Sequence, residues 1–296
     1  MITLQNEVLT VTINKKGAEL SSIKDKKTGY EYLWQADPDY WARHAPVLFP
    51  NVGSLKDNRF FYEGKEYHLP RHGFARDLLF TVQNTTSNSA SFYLKSSQET
   101  KKHYPFDFSF QITYILHGNT VTTTYEILNP SDDTPLFYTV GGHPAFNVAQ
   151  IEKDGENEFD QVSYSLSPSG HYLKIPLNKE GLTKVSSAKY QPISHEPLNH
   201  KDFKEDALIY QISPQTEITL RDLVNDVTIK LKPSRMDYVG IWSCYPKRAG
   251  FVCLEPWSGI ADRDDATGEI EEKYSVTRLE PNQIMTHDYT LTFTKG

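Results

Sequence analysis

The chain has 296 residues, 38% of them hydrophobic, and a formal net charge of -7. That balance, with no run of five or six like charges, excludes nucleic acid and anionic membranes as expected partners. Two cysteines, Cys244 and Cys253, are too few for a secreted disulfide framework, and no apolar run reaches the roughly 20 residues of a membrane helix, so a soluble cytoplasmic protein is expected.

The start, "MITLQNEVLTVTINKKG", lacks the apolar core of a signal peptide and reads directly as strand. In chain order, "VLTVTI", "YEYLWQ", "LLFTVQ" and "SFYLKS" follow a strand pattern, and "SSQETKKHY" predicts one or two helical turns. The strongest signal comes next. In "FDFSFQITYIL", Phe106, Phe108, Phe110, Ile112, Tyr114 and Leu116 alternate with mostly polar neighbours. After the turn "HGN", Val121, Thr123, Tyr125 and Ile127 carry the alternation back, which is the pattern of a hairpin with one buried face. "LFYTV", "EITLRD", "VTIKLK", "YVGIWS", "FVCLEP" and "YTLTFT" add strands, and "GEIEEKYS" a helical turn. Residues 150–206, rich in Lys, Ser, Pro and Asn, read as long excursions on the same scaffold. So many strands with few short helices predict an all-β protein of two packed sheets, one domain over residues 1–296.

Three stretches carry chemistry. Residues 45–76 crowd Arg71, His72 and Arg76 around Gly73, with Arg43 just upstream. "VGGHPAFNVA" seats His143 between two glycines and Pro144, a frame that a histidine in the core does not need. In "FVCLEPWSGIADR", Phe251, Cys253 and Glu255 share one strand face, and Val252 and Leu254 the other. Both faces are apolar, so Glu255 is expected to be partly buried, with a pKa raised toward the range of a base. Each candidate has a plainer alternative. Glu255 could pair with Arg263, His143 could be a structural turn histidine, and His72 a surface one. Asp206, in "FKEDALIYQ", could simply cap a turn, and the three arginines could form a solvated charged face. Two histidines and a glutamate can also hold zinc, but neither His-x-x-x-His nor Cys-x-x-Cys spacing occurs, and no metal is expected. Cys244 and Cys253, on either side of the "YPKRAG" turn, are taken as free thiols.

Taken in order, "FPNVGSL", "RHGFAR", "GGHPAFN", "EDALI" and "LEPWSGIADR" make the chain resemble the aldose 1-epimerase (galactose mutarotase-like) family, in its LacX-like branch, over nearly the whole length. The resemblance implies a galactose mutarotase-like β-supersandwich with a sugar site on one sheet face. It implies a catalytic histidine before Phe146 and Asn147, which is His143, and a catalytic glutamate late in the chain, which is Glu255. It puts a second histidine at His72 and a sugar-binding aspartate at Asp206. "HGFAR" is closer to the hexose-6-phosphate epimerase-like branch, where arginines at the positions of Arg76 and Arg43 meet the phosphate and the position of Arg71 contacts ligand. Galactose mutarotases have Asn where this chain has Gly142. The implied activity is interconversion of sugar anomers without a cofactor, on a sugar or sugar phosphate, and a homodimer is compatible with it. The two glycines would let the backbone pass close under the sugar. Phe74, Phe146 and Trp257 are candidate stacking surfaces for its apolar faces. A sugar-binding protein without turnover, or a glycoside hydrolase using Glu255 and Asp206, are the rival classes.

Overall fold

The computed structural model describes residues 1–296. The alternation in the central hairpin becomes two antiparallel strands, Ser109–His117 and Thr120–Leu128, in register from Leu128 opposite Ser109 to Thr120 opposite His117. Their apolar positions are buried and the intervening ones mostly are not, as the period of two requires. This hairpin lies within a nine-stranded sheet. The last strand, Ile284–Lys295, runs through that sheet between Thr120–Leu128 and Val227–Ser234.

A second sheet of eight strands has Tyr238–Trp242 and Phe251–Trp257 at its centre. Inward side chains of both sheets meet in one cluster of 60 buried residues, which includes Ile112 and Leu291 from one sheet and Val239, Ile241, Val252 and Leu254 from the other. The opposite face of the eight-stranded sheet is covered too. Every residue of Phe251–Trp257 is buried, with Cys253 in a small cluster against Trp34, Tyr40, Trp41 and Trp242. The two-sided burial read from "FVCLEP" is therefore real, and Cys253, Glu255 and Trp257 share the strand's outward face.

Two sequence expectations change. "YEYLWQ" forms only isolated bridges, at Glu31 and Leu33, because its backbone is divided between Ile23 and Asp25 across the turn at Gly29 and Asn147 and Ala145 beyond. Residues 150–206 are more ordered than excursions. Val162–Ser167 extends the nine-stranded sheet, and Gly170–Ile175 with Lys189–Ile193 forms one edge of the other. The helical turns appear where expected, as a short α-helix at Gln98–Lys101 capped by Ser97 and a 3-10 turn at Ile270–Glu272. No helix is long and apolar enough to cross a membrane. Both cysteines are free and buried. Cys253 lies opposite Trp242 rather than Cys244, so the two thiols are offset along the strands.

Candidate active site

Strand register brings the two most distant sequence motifs together. Gly141 pairs with Trp257 and Ala145 with Cys253, so His143, midway between Gly141 and Ala145, falls opposite Glu255. Pro144, without an N–H, interrupts the ladder at this point and frees His143 from regular pairing. The result is a contact of 3.1 Å between His143 Nε2 and Glu255 Oε2. Neither Glu255 Oε2 nor His143 Nδ1 has an aligned hydrogen-bond partner, although both are buried.

Burial sets the charge of both groups. It pushes Glu255 well above the usual carboxylate range, and the nearby Asp206 charge adds to that, while Arg71 opposes it. It pushes His143 down to about 3. The positive charges of Arg71, Arg76 and Arg43 act in the same direction, and the backbone carbonyl of His143 opposes them. Burial therefore favours the uncharged form of both groups. Glu255 does not pair with Arg263, which is held by Asp265 at 2.6 Å.

Aromatic rings box the imidazole. Trp41 stacks on His143 with ring centroids 5.0 Å apart and 27° between planes, and Trp242 meets it edge-on at 5.6 Å. His72 stands edge-on from another side, also at 5.6 Å. His72 has a positive φ of 70°, uncommon for a residue with a side chain, and is locked in place by Gly53. The Gly53 N–H donates to His72 Nδ1 at 3.1 Å, and the His72 N–H donates back to the Gly53 carbonyl at 2.9 Å. Both ring nitrogens of His72 face donors, the Gly53 N–H at Nδ1 and the Arg71 Nε–H at Nε2. Burial, then the charge of Arg71, holds the His72 pKa well below its ordinary value.

Asp206 also has a positive φ, 95°. Its carboxylate accepts from the Ala207 N–H at 2.8 Å and meets Arg71 Nη2 at 2.8 Å. The carboxylate faces the hollow. Arg71 Nε lies 3.3 Å from His72 Nε2. Arg76 donates from Nη2 to the Arg71 carbonyl at 2.6 Å, and its buried Nε makes no hydrogen bond but lies 3.8 Å from Asp77 Oδ2.

These groups surround a hollow of about 290 Å³, small for a ligand cleft. Its walls include six of the residues singled out in the sequence as catalytic or binding: Arg71, His72, Arg76, His143, Asp206 and Glu255. Arg43 is not among the walls. It is held by Asp77 at 3.1 Å and lines an adjoining hollow of about 520 Å³ that shares Trp41 and Arg76. Of the proposed stacking residues only Trp257 faces the hollow. Phe146 is fully buried against Phe293, and Phe74 packs on Tyr104 and Phe108, because both point toward the core. Trp41 and Trp242 are the aromatic walls that sequence reasoning missed. Trp242 shares a strand face with Gly240, and its register against Cys253 is what aims it at the site. Trp41 comes from an irregular segment whose path no periodicity encodes.

The sequence model of the aldose 1-epimerase family matches residues 1–290. Protein LacX of Lactococcus lactis subsp. lactis, encoded on a plasmid, is 31% identical over 300 residues, covering 98% of each chain. Among solved structures, a galactose mutarotase related enzyme from Lactobacillus acidophilus is 40% identical, with a TM-score of 0.93 over 99% of this chain and 97% of that one. A galactose mutarotase-like protein from Lactobacillus casei is 28% identical, with a TM-score of 0.88 over 99% of this chain and all of the other. The two-sheet architecture is thus the galactose mutarotase-like sandwich that the motifs implied.

Proposed function

The chain belongs to the aldose 1-epimerase family, and we propose that it interconverts the α and β anomers of an aldohexose by acid–base ring opening. What supports the reading is the 3.1 Å approach of His143 Nε2 and Glu255 Oε2 beside a hollow walled by hydrogen-bonding groups and tryptophans.

The proton count suits the reaction. A neutral carboxyl and a neutral imidazole hold as many protons as a carboxylate and an imidazolium. Moving one proton from Glu255 to His143 therefore creates a base and an acid together. Burial alone favours the neutral form; the hydroxyls of a bound sugar favour the separated one, while the Arg71 charge favours the carboxylate and opposes the imidazolium. Glu255 then takes the proton of the anomeric hydroxyl, and His143 delivers one to the ring oxygen. The ring opens to an aldehyde, the C1–C2 bond turns, and closure on the other carbonyl face reverses both transfers. No redox step, nucleophile or cofactor enters. His72 hydrogen-bonds near the ring oxygen, and Asp206, held by Arg71, accepts from sugar hydroxyls. Trp41, Trp242 and Trp257 supply apolar walls for the sugar's C–H faces.

Following the optical rotation of freshly dissolved α-glucose and α-galactose tests this. Each of Glu255→Gln and His143→Asn should lower kcat/KM by about 10²–10⁴, the usual contribution of one positioned proton transfer. Unchanged rates in both variants would reject the assignment, and cleavage of a nitrophenyl glycoside would favour a hydrolase. A second reading, hexose 6-phosphates as substrates, is favoured by Arg76, which lines both the hollow and the adjoining one that holds Arg43 and whose buried Nε makes no hydrogen bond. On that reading Arg76→Ala raises KM for a hexose 6-phosphate more than for the free hexose, as NMR of anomer exchange would measure.

A further inference from the structure

Cys253 is a third polarisable group beside the acid–base pair, and ring opening has no use for it. It sits two residues from Glu255 on one strand, so their side chains share a face. One donor atom from each of His143, Cys253 and Glu255 lies within 4.8 Å of the other two, and all three residues are buried. The His143 Nε2 to Glu255 Oε2 separation, 3.1 Å, is already near the roughly 3.3 Å between two donors each bound at about 2.0 Å to a tetrahedral ion. His143 is 7% exposed and Glu255 1%, yet His143 Nδ1 and Glu255 Oε2 lack aligned partners. Buried polar atoms normally have one, so these two point to a group from outside the chain. Sugar hydroxyls can satisfy the pair but gain little from a thiol. An imidazole, a thiolate and a carboxylate together are the donor set of a borderline-soft cation that takes four ligands, not of magnesium or calcium.

We propose that a thiophilic divalent cation, of which Zn²⁺ is the type, binds His143, Cys253 and Glu255 at once and thereby inhibits the protein. The binding rests on the geometry of the three donors; only the inhibition rests on the proposed mutarotase reading. Coordination expels the thiol proton of Cys253 and any carboxyl proton on Glu255. The third bond needs Cys253 to approach by up to about 1 Å, given a metal–sulfur length of about 2.3 Å. The hollow in front of the pair gives the ion its path and room for water as a fourth ligand. Acid and base are then both occupied, and neither can exchange a proton with a sugar.

Titration of the full chain with Co²⁺, read by the thiolate-to-cobalt absorption in the near ultraviolet, tests the site without reference to activity. The expected result is a band that saturates at one equivalent and is abolished by Zn²⁺. It disappears in Cys253→Ala and Cys253→Ser and persists in Cys244→Ala, which removes only the other thiol. No band in the unmodified chain, or a band surviving in both Cys253 variants, overturns the site. In the anomer-exchange assay Zn²⁺ should suppress turnover of the unmodified chain, with recovery on adding a chelator. Cys253→Ala should need on the order of 100-fold more Zn²⁺ for the same inhibition, having lost the softest of three ligands. Equal zinc sensitivity in the two overturns the inhibitory role. A cobalt band in a chain that turns over no sugar supports the site and removes the mutarotase reading alone.

Discussion

Glu255 and His143 pull stability in opposite directions as pH changes. His143 is neutral in the folded chain down to about 3 but protonates near 6.5 when unfolded. The unfolded state therefore binds more protons between those values, and its contribution to stability is lost as pH falls through that window. His143→Gln removes this loss; by pH 4.5 the difference should reach on the order of 2 kcal/mol in chemical denaturation. Glu255 is the reverse. Its folded carboxyl keeps its proton above the unfolded value of about 4.3, so its contribution falls as pH rises beyond that. Glu255→Gln should be more stable than the parent at pH 8 and lose that advantage toward pH 4, with a slope of at most about 1.4 kcal/mol per pH unit. A gain independent of pH would refute the raised pKa. Glu255 was legible as a buried carboxylate because strand phase alone assigns its face. The isolation of His143 among three rings was not, since Trp41, Trp242 and His72 arrive from separate parts of the chain.

At the scale of elements, the segment around His143 works differently from the expectation. Gly141 and Gly142 do not make room for sugar. A Cβ on Gly141 would lie 2.5 Å from Cδ1 of Trp257, and one on Gly142 would lie 2.8 Å from the Tyr289 hydroxyl and 3.2 Å from that of Tyr125. The glycines allow close approach of the indole that walls the hollow and of two buried tyrosines behind it. This also accounts for Gly142 where galactose mutarotases have Asn: here the two tyrosine hydroxyls, 3.4 Å apart, occupy the space. Gly142→Asn should destabilise the fold by about 1–3 kcal/mol, as overpacking does, and urea titration would measure it. Substitution with no loss would mean that the tyrosines can swing away. The demand for glycine was readable in the sequence; what crowds it was not, because Trp257 and Tyr289 lie more than a hundred residues away along the chain and Tyr125 comes from the other sheet.

For the whole molecule, the last strand is the seam of the nine-stranded sheet. Leu291, fully buried, stands between Val121 on one side and Leu231 on the other. Leu291→Ala should cost about 2–5 kcal/mol. Because both sheets share one core, we propose that residues 1–296 unfold as a unit. Tryptophan fluorescence, which reports Trp41, Trp242 and Trp257 at the hollow, should then follow the same urea transition as far-ultraviolet circular dichroism, and separated transitions would show independent units.

Period-two alternation was enough to specify an all-β chain, its central hairpin and the inward and outward faces of Phe251–Trp257, because side-chain direction along a strand is a local property. Ordered motifs were enough to nominate His143 and Glu255. Their meeting depends on strand register, which joins positions 112 residues apart, and only the folded sheet decides it. The same holds for the strands within residues 150–206, the displacement of Arg43 toward Asp77 and the approach of Cys253 to the pair. Each is settled by which neighbour packs alongside, and pairing between distant segments leaves no periodic trace in a single sequence.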